Sequence, residues 1–160
     1  MRYAEAYNIE DLRQLAQRRL PRVAWDYLER GAEDDVTLTA NRAAFERIHF
    51  RPRTLVDVSA RSLQHSLFGK AHSAPFGIAP TGAAGLYCHD ADIALARAAA
   101  AAGVPFVLST ASFVAMERVA QEAAGTQWFQ LYMSKDREQA ERLVKRALAA
   151  GFEALVVTTD

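Results

Sequence analysis

Polar side chains stand at the ends of two apolar stretches whose composition is typical of buried strands. Side chains alternate along a strand, so Gln130 and Tyr132 share one face of the first stretch, and Thr158 and Asp160 share one face of the second. A carboxamide, a phenol and a hydroxyl on neighbouring strands can line a pocket for a planar heterocycle with donors and acceptors on its edge. The pattern leaves open the alternative that Gln130 and Thr158 only cap strand ends or bind water.

The elements that must position these residues alternate between strand and helix. Apolar runs with strand composition occupy residues 76–82, 106–108, 128–132 and 154–157, and segments with helical periodicity lie between them. This alternation is typical of an α/β fold, a parallel sheet with helices outside it. In such folds the chemistry lies at the carboxyl ends of the strands. Function is therefore expected at four strand ends, which read Pro80-Thr81-Gly82, Ser109-Thr110, Gln130-Leu131-Tyr132 and Thr158-Thr159-Asp160.

Other residues have weaker local support for a chemical role. Tyr27 shares a helical stripe with Val23, Ala24 and Leu28, and this pattern favours a core aromatic over a binding residue. The four histidines show no metal-ligand spacing, and Cys88 has no His or acidic partner arranged as a triad. We therefore expect no metal site.

Composition excludes several classes of function. The 160 residues contain 19 Lys and Arg against 19 Asp and Glu, so no net charge attracts nucleic acid. The single cysteine, Cys88, excludes an internal disulfide and is typical of a reducing compartment such as the cytoplasm. The amino-terminal residues lack the apolar core of a signal peptide.

Residues 1–53 are predicted to form a helical extension. Asn8 can cap a first helix, and Pro21 suits the first position of a second. Residues 54–70 are predicted to contain two short strands, at 54–58 and 66–69, that close the bottom of a barrel.

Residues 71–160 are predicted to form the first four β/α units of that barrel. Asp90, Ser112 and Ser134 can each cap a helix of these units. A (β/α)₈ barrel needs about 250 residues, and the sequence stops directly after an apolar strand. We therefore expect one domain fragment, the first half of a TIM barrel in a longer protein.

A set of short motifs runs in order along almost the whole chain. They are Leu20-Pro21, Asp26-Tyr27, Gly31-Ala32-Glu33-Asp34, Asn41 with Phe45, Phe50-Arg51-Pro52-Arg53, Val56-Asp57-Val58, Ile78-Ala79-Pro80-Thr81, Phe129-Gln130-Leu131-Tyr132 and Thr158-Thr159-Asp160. Each motif is weak alone, but their order and spacing together are highly specific. In them the chain resembles the FMN-dependent α-hydroxy acid oxidases and dehydrogenases, a family that includes glycolate oxidase, lactate oxidase and mandelate dehydrogenase.

The resemblance implies a (β/α)₈ barrel with FMN at the carboxyl ends of the strands. In the family, the segment that matches Ala79-Pro80-Thr81 runs beside the flavin. Side chains that match Ser109, Gln130 and Thr158 hydrogen-bond the flavin. These positions, together with Gly82, are the cofactor-binding residues that the resemblance implies.

The resemblance also implies roles toward the substrate. The tyrosine that matches Tyr27 binds the substrate carboxylate, and the one that matches Tyr132 hydrogen-bonds the hydroxyl or the developing alkoxide. The aspartate that matches Asp160 orients the catalytic histidine and stabilises its charge. Tyr132 and Asp160 are therefore the expected catalytic residues.

Gly82 points to one branch of the family. Many members with small substrates have alanine there, whereas the mandelate dehydrogenase branch resembles this chain in having glycine. The missing methyl makes room for the substrate beside the flavin and changes access to the reduced cofactor. This favours (S)-mandelate or a similar aromatic acid, with electrons passed to a non-oxygen acceptor such as a quinone or a dye. The alternative is that Gly82 only satisfies turn geometry.

The activity that the resemblance implies is the oxidation of an L-2-hydroxy acid to the 2-keto acid. One alternative is an oxidase of the same family, which passes the electrons to O₂ and makes H₂O₂. The histidine base, the carboxylate-binding arginines and most of the phosphate site belong to the second half of the family's barrel. This half alone is therefore expected to be inactive, and a non-enzyme alternative is a half-barrel scaffold.

The expected macromolecular partners follow from the same resemblance. They are the carboxy-terminal half of the barrel and further copies of the chain, since the family forms homo-oligomers, often tetramers. Attachment peripheral to the inner face of the membrane would depend on a segment of the second half.

Overall fold

The computed structural model describes residues 3–159, and the chain divides into two compact units, 1–59 and 60–160. The first unit is helical. After a short 3₁₀ turn, its helices are α1 (Ile9–Arg19), α2 (Arg22–Glu29) and α3 (Val36–Glu46).

Side chains at the helix ends explain where α1 and α2 begin. Asn8 caps α1, as predicted: its side-chain oxygen accepts a hydrogen bond from the Asp11 N–H at 2.9 Å. Pro21 is the cap of α2 and not its first helical residue. Arg13 joins the two helices, because its guanidinium donates to Glu29 and lies 5.6 Å from the centre of the Trp25 ring.

The predicted strand at 54–58 is absent, so that prediction is wrong. Asp57 accepts a hydrogen bond from the Ser59 N–H at 2.9 Å, which is a local turn that competes with extended pairing. Leu55 has φ +56°, a left-handed conformation that lies outside the β region. Residues 54–58 therefore form irregular chain.

The second unit is a parallel sheet covered by helices, and it opens with an antiparallel hairpin. Its elements are β1 (His65–Leu67), β2 (Lys70–His72), α4 (Ala91–Ala102), β3 (Phe106–Leu108), α5 (Met116–Glu122), β4 (Gln127–Tyr132), α6 (Arg137–Ala150) and β5 (Ala154–Thr158). Strands β3, β4 and β5 are adjacent in chain order, and both pairs are parallel. This sequential parallel order is that of a TIM-barrel wall, and the predicted fold class is confirmed.

The first predicted strand of the sheet is reduced to a single residue. Ile78 forms a parallel bridge with Phe106: its N–H donates to the Pro105 carbonyl, and its own carbonyl accepts from Val107. Pro80 lacks an N–H and cannot extend this ladder. The remainder of 76–82 is therefore loop, joined to β3 through the Ile78 bridge.

The predicted strand at 66–69 is a hairpin turn in its second half. Phe68 and Gly69 both have positive φ and connect β1 to β2. The Phe68 ring contacts the ring of Trp128 edge-on, with centroids 5.3 Å apart, and Lys70 pairs with Glu153 just before β5. The hairpin thus lies at the amino ends of β4 and β5, opposite to the predicted site.

The core of this unit lies between the sheet and its helices. Phe129 and Leu131 on β4 are each 2% exposed and face the helices, which leaves Gln130 and Tyr132 on the other face as the alternation predicts. The other buried members of this core include Ile93, Ala96, Ala99, Phe106, Leu108, Met116, Val119, Ala147 and Phe152.

Two of the three predicted helix caps differ in the structure. Ser112 does not cap α5, which begins only at Met116. Ser134 is replaced as the cap of α6 by Asp136, whose carboxylate accepts from the N–H groups of Glu138 and Gln139. The Ser112 hydroxyl instead accepts a hydrogen bond from the Val114 N–H, and the Ser134 hydroxyl accepts one from the Asp136 N–H.

Asp90 occupies the predicted cap position of α4 but makes no capping hydrogen bond. Its φ is +52°, and its carboxylate binds the guanidinium of Arg118 through two hydrogen bonds. An ion pair between helices thus replaces a local cap.

No helix among residues 3–159 has the length and apolar composition needed to cross a membrane.

Candidate active site

The side chain of Gln130 joins three parts of the second unit at the carboxyl ends of the strands. It is 2% exposed. Its Oε1 accepts from the Thr110 N–H at 3.0 Å and from the Ser109 hydroxyl at 3.3 Å, and its Nε2 donates to the Thr158 hydroxyl at 2.8 Å. The carboxamide therefore uses both its acceptor and its donor to link the polar ends of three strands.

The loop after β3 is ordered by its own hydroxyl groups. Ser109 accepts a hydrogen bond from the Ala111 N–H at 3.1 Å, and the Ser112 N–H donates to the Ser109 carbonyl at 3.1 Å. Thr110 donates its hydroxyl to the Gln130 carbonyl and accepts from the Tyr132 N–H at 3.2 Å. These protein contacts bind the loop to β4 without the help of a ligand.

The segment around Gly82 lies against this loop. The Ala83 N–H donates to the Ala111 carbonyl at 3.0 Å. A Cβ added at Gly82 would lie 3.5 Å from the Ala111 Cβ and 4.0 Å from the Ser109 Oγ. Both are ordinary contacts, and Gly82 has no left-handed φ, so neither turn geometry nor local crowding requires glycine here.

Tyr132 and Thr158 are partners in the parallel ladder of β4 and β5. Paired residues lie on the same face of a sheet, which here is the face that carries Gln130. Tyr132 is 48% exposed, and Thr158 is half-buried. The phenol is thus accessible at the edge of the network that the carboxamide holds.

The structure brings together most of the predicted site residues. Ser109, Gln130, Tyr132 and Thr158 form one contiguous set with the loop that contains Ala79, Pro80, Thr81 and Gly82.

Two predicted residues are not among the described members of this set. Tyr27 belongs to α2 of the first unit, where its side chain is 68% exposed and not the core aromatic that its stripe favours. Asp160 lies outside the described residues.

Thr110 belongs to a strand end where function was expected, but the sequence analysis gave it no role of its own. Its N–H and hydroxyl make three of the hydrogen bonds around Gln130 and Tyr132. The available signal was its position two residues after the end of β3, next to a strand that carries a carboxamide.

Charged side chains lie outside the network. The Arg118 guanidinium, which hydrogen-bonds Asp90, lowers the pKa of that carboxyl below its ordinary value, and Arg146 does the same to the pKa of Glu117. Within residues 3–159 no group of His, Cys, Asp or Glu is arranged to hold a metal ion. Among the residues that the structure describes, the site is therefore an array of neutral hydrogen-bonding groups, suited to a polar planar ligand.

The chain is similar to three characterised or named proteins along nearly its full length. It is 50% identical to (S)-mandelate dehydrogenase of Pseudomonas putida over 96% of the chain and 39% of that protein. It is 46% identical to a putative L-lactate dehydrogenase of Mycobacterium tuberculosis, over 99% and 39%, and 44% identical to glycolate oxidase 1 of Zea mays, over 98% and 42%. The chain thus spans about two fifths of the length of these relatives.

Solved structures match the fold as closely. A structure of (S)-mandelate dehydrogenase, described as a monotopic membrane protein, superposes with a TM-score of 0.93 at 49% identity, over 98% of this chain and 42% of that one. A mandelate oxidase structure with (S)-4-hydroxymandelic acid superposes with a TM-score of 0.92 at 37% identity, over 97% and 43%.

The family model described as FMN-dependent dehydrogenase matches residues 16–160. This match includes residues 16–59 of the first unit, all of the second unit and every predicted site residue. The chain belongs to the FMN-dependent dehydrogenase family.

Proposed function

We propose that this chain is the amino-terminal part of a flavoenzyme that oxidises an L-2-hydroxy acid to the 2-keto acid. The observation that carries the proposal is the Gln130 network, which ties three strand ends into one neutral ligand-binding edge. The 50% identity to (S)-mandelate dehydrogenase supports this reaction class and a mandelate-like aromatic substrate.

The residues present fit FMN as the cofactor. Within residues 3–159 the N–H groups of Ala79, Thr81 and Gly82 donate to no protein acceptor, so they are available to a ligand with acceptor atoms. Ala79 and Thr81 are exposed. FMN, when bound, supplies a two-electron acceptor. The Ala79–Gly82 segment would line it, while Ser109, Gln130 and Thr158 would present hydrogen-bonding groups to it.

The reaction divides between residues of this chain and residues that it lacks. Tyr132 would hydrogen-bond the substrate hydroxyl and stabilise negative charge that develops on this oxygen. Tyr27 would bind the substrate carboxylate. Asp160 would orient a histidine base supplied by the remainder of the barrel and stabilise its charge once it has taken the proton.

Gly82 supports an aromatic substrate in this proposal. The structure leaves space for a methyl group at this position, so the fold does not require glycine rather than alanine there. The space beside Ser109 and Ala111 would then admit a larger substituent on the hydroxy acid, and a non-oxygen acceptor is proposed with it.

An oxidase of the same family is the second candidate. The 44% identity to a glycolate oxidase and the likeness to a mandelate oxidase favour it. Turnover in air compared with turnover on a dye under argon separates the two, because only an oxidase makes stoichiometric H₂O₂.

Completion of the barrel is part of the proposal. The partners would be the carboxy-terminal half of the barrel and further copies of the chain in a homo-oligomer. A half-barrel scaffold without flavin is the non-enzyme alternative.

We place the protein in the cytoplasm, peripheral to the inner face of the membrane, and the relative described as a monotopic membrane protein supports this.

The decisive experiment is the visible absorption spectrum of the full-length protein, before and after L-mandelate is added without oxygen. A yellow protein that bleaches with L-mandelate, and not with D-mandelate, is the expected result. A yellow protein whose flavin stays oxidised with both enantiomers would contradict mandelate as the substrate. A colourless protein that binds no added FMN would overturn the flavin assignment and favour the scaffold.

A further inference from the structure

Asp92 is a buried carboxylate that the proposed reaction does not use. It lies in the first turn of α4 and is 1% exposed. Among residues 3–159 no Lys, Arg or His lies within ion-pair distance of it. A carboxylate without a countercharge is costly to bury, so its hydrogen-bond partners must compensate.

The partner of Asp92 is the hydroxyl of Ser112, 20 residues further along the chain. The Ser112 Oγ lies 2.9 Å from the Asp92 Oδ2 and 3.1 Å from the Val114 carbonyl, and it accepts from the Val114 N–H at 3.0 Å. A hydroxyl has one proton, and an ionised carboxylate is the stronger acceptor. Ser112 therefore donates to Asp92 and accepts from Val114, which fixes the loop to α4.

This attachment continues into the candidate site. The Ser112 N–H donates to the Ser109 carbonyl, and Ser109 donates its hydroxyl to the Gln130 carboxamide. The Ala111 carbonyl between them accepts from the Ala83 N–H, beside Gly82. Apart from Asp92 and Val114, the described partners of this loop belong to the site or lie beside Gly82.

We propose that Asp92 is a positioning residue that acts through Ser112 to hold residues 109–112 in the arrangement that binds the flavin. The inference rests on the proposed function for its ligand and on the described contacts for its geometry. The hydrogen bond described for Asp92 is the one from Ser112, and none is described between Asp92 and Ser109, Gln130 or Thr158. Its effect is on the loop, so removal of the carboxylate loosens the Thr110 and Ser109 contacts to Gln130.

The test uses Asp92→Ala, Asp92→Asn and Ser112→Ala in the full-length protein, with Ile93→Ala as the matched control. Ile93 is the next residue of α4, is 2% exposed and packs in the core, so its truncation weakens the same helix without touching Ser112. FMN affinity is measured by titration of the apoprotein, and stability by thermal unfolding of the same samples.

The expected result is that Asp92→Ala and Ser112→Ala each weaken FMN binding about tenfold. The double variant Asp92→Ala/Ser112→Ala binds no more weakly than Ser112→Ala alone, because loss of the Ser112 hydroxyl already removes the contact with Asp92. Asp92→Asn restores most of the affinity, since its carboxamide oxygen still accepts from Ser112. Ile93→Ala lowers the unfolding temperature but leaves the affinity within twofold. An Asp92→Ala protein that behaves like Ile93→Ala would overturn the positioning role.

A second readout does not depend on flavin. Hydrogen exchange of the Thr110 and Val114 amides in the apoprotein is expected to rise in Asp92→Ala and to return toward the wild-type rate in Asp92→Asn. If the wild-type protein binds no FMN, the proposed function fails, while amide exchange still decides whether Asp92 positions the loop. Unchanged exchange at both amides in Asp92→Ala would sink the inference even where the flavin is bound.

Discussion

The Nε2 of Gln130 donates to the hydroxyl of Thr158 at 2.8 Å and so joins the polar ends of β4 and β5. The same carboxamide accepts from the loop after β3. Because Gln130 is almost fully buried, each of these groups depends on it for a partner that water would otherwise supply.

Gln130→Leu is expected to weaken both stability and FMN binding. Leucine leaves the Thr110 N–H and the Ser109 hydroxyl without an acceptor, which costs about 1–3 kcal/mol for a buried polar group. Thr158→Ser keeps the hydroxyl that Gln130 binds and serves as the control. Thermal unfolding and FMN titration of the full-length protein measure both effects, and a Leu variant as stable as Thr158→Ser would contradict the network.

Gly82→Ala and Gly77→Ala are expected to differ sharply in stability. A Cβ at Gly82 finds only ordinary contacts, whereas at Gly77 it would lie 2.8 Å from the Pro105 carbonyl oxygen. We expect Gly82→Ala to fold within about 0.5 kcal/mol of wild type and Gly77→Ala to lose about 1–3 kcal/mol.

Activity completes this comparison. On the proposed function, Gly82→Ala lowers kcat/KM for mandelate more than for lactate, since the added methyl takes space from the larger substituent. Equal losses for the two acids would remove Gly82 as a determinant of substrate size.

Tyr132→Phe and Tyr27→Phe are expected to affect different kinetic constants. Loss of the Tyr132 hydroxyl removes a hydrogen bond to the developing alkoxide and lowers kcat on the order of 10²-fold. Loss of the Tyr27 hydroxyl weakens carboxylate binding and raises KM with little change in kcat. Steady-state kinetics with a dye acceptor measures both, and a Tyr132→Phe variant changed only in KM would reverse the assignment.

Phe129→Ala is expected to lower stability through the core. Phe129 is 2% exposed and lies on the helix-facing side of β4, with its ring centroid 6.1 Å from that of Phe152. Truncation of such a side chain costs about 3–5 kcal/mol. Leu148→Ala, at a position 75% exposed, is the control and should stay within about 0.5 kcal/mol. Unfolding by urea compares them.

The Asp90–Arg118 pair is expected to make stability depend on pH in the acid range. Arg118 lowers the folded-state pKa of Asp90 below its ordinary 3.8. As pH falls, Asp90 is therefore protonated in the unfolded chain at a higher pH than in the folded chain. The stabilisation is complete above that ordinary value and is lost as pH falls through the lower folded pKa. Arg118→Gln should therefore lower the unfolding temperature at pH 7 and have less effect near pH 3. An effect that grew on acidification would contradict this sign.

Local sequence signals predicted much of the secondary structure correctly. Asn8 marks the start of α1, and the apolar runs at 106–108, 128–132 and 154–157 became β3, β4 and β5. Alternation along β4 placed Gln130 on the face opposite to Phe129. These features depend on neighbours along the chain or on a two-residue period, both of which a sequence displays directly.

Distant contacts explain why Ser112 and Asp90 do not form the expected capping hydrogen bonds. Serine is a residue type that often caps helices, yet the hydroxyl of Ser112 donates to Asp92. Asp90 stands at the cap position of α4, yet its carboxylate binds Arg118. A carboxylate or hydroxyl is satisfied by whichever strong partner the fold brings near, and sequence position does not reveal a partner 20 or more residues away.

By itself the sequence determined the class of fold and the residue types at the strand ends, because hydrophobic periodicity and turn chemistry are local properties. Only the tertiary structure decided which of those groups meet. The union of Ser109, Thr110, Gln130 and Thr158 follows from the parallel register of β3, β4 and β5, which sets residues 20 to 49 positions apart within hydrogen-bonding reach. The role of Asp92 became visible for the same reason, since packing of α4 against the loop after β3 gives that buried carboxylate its partner.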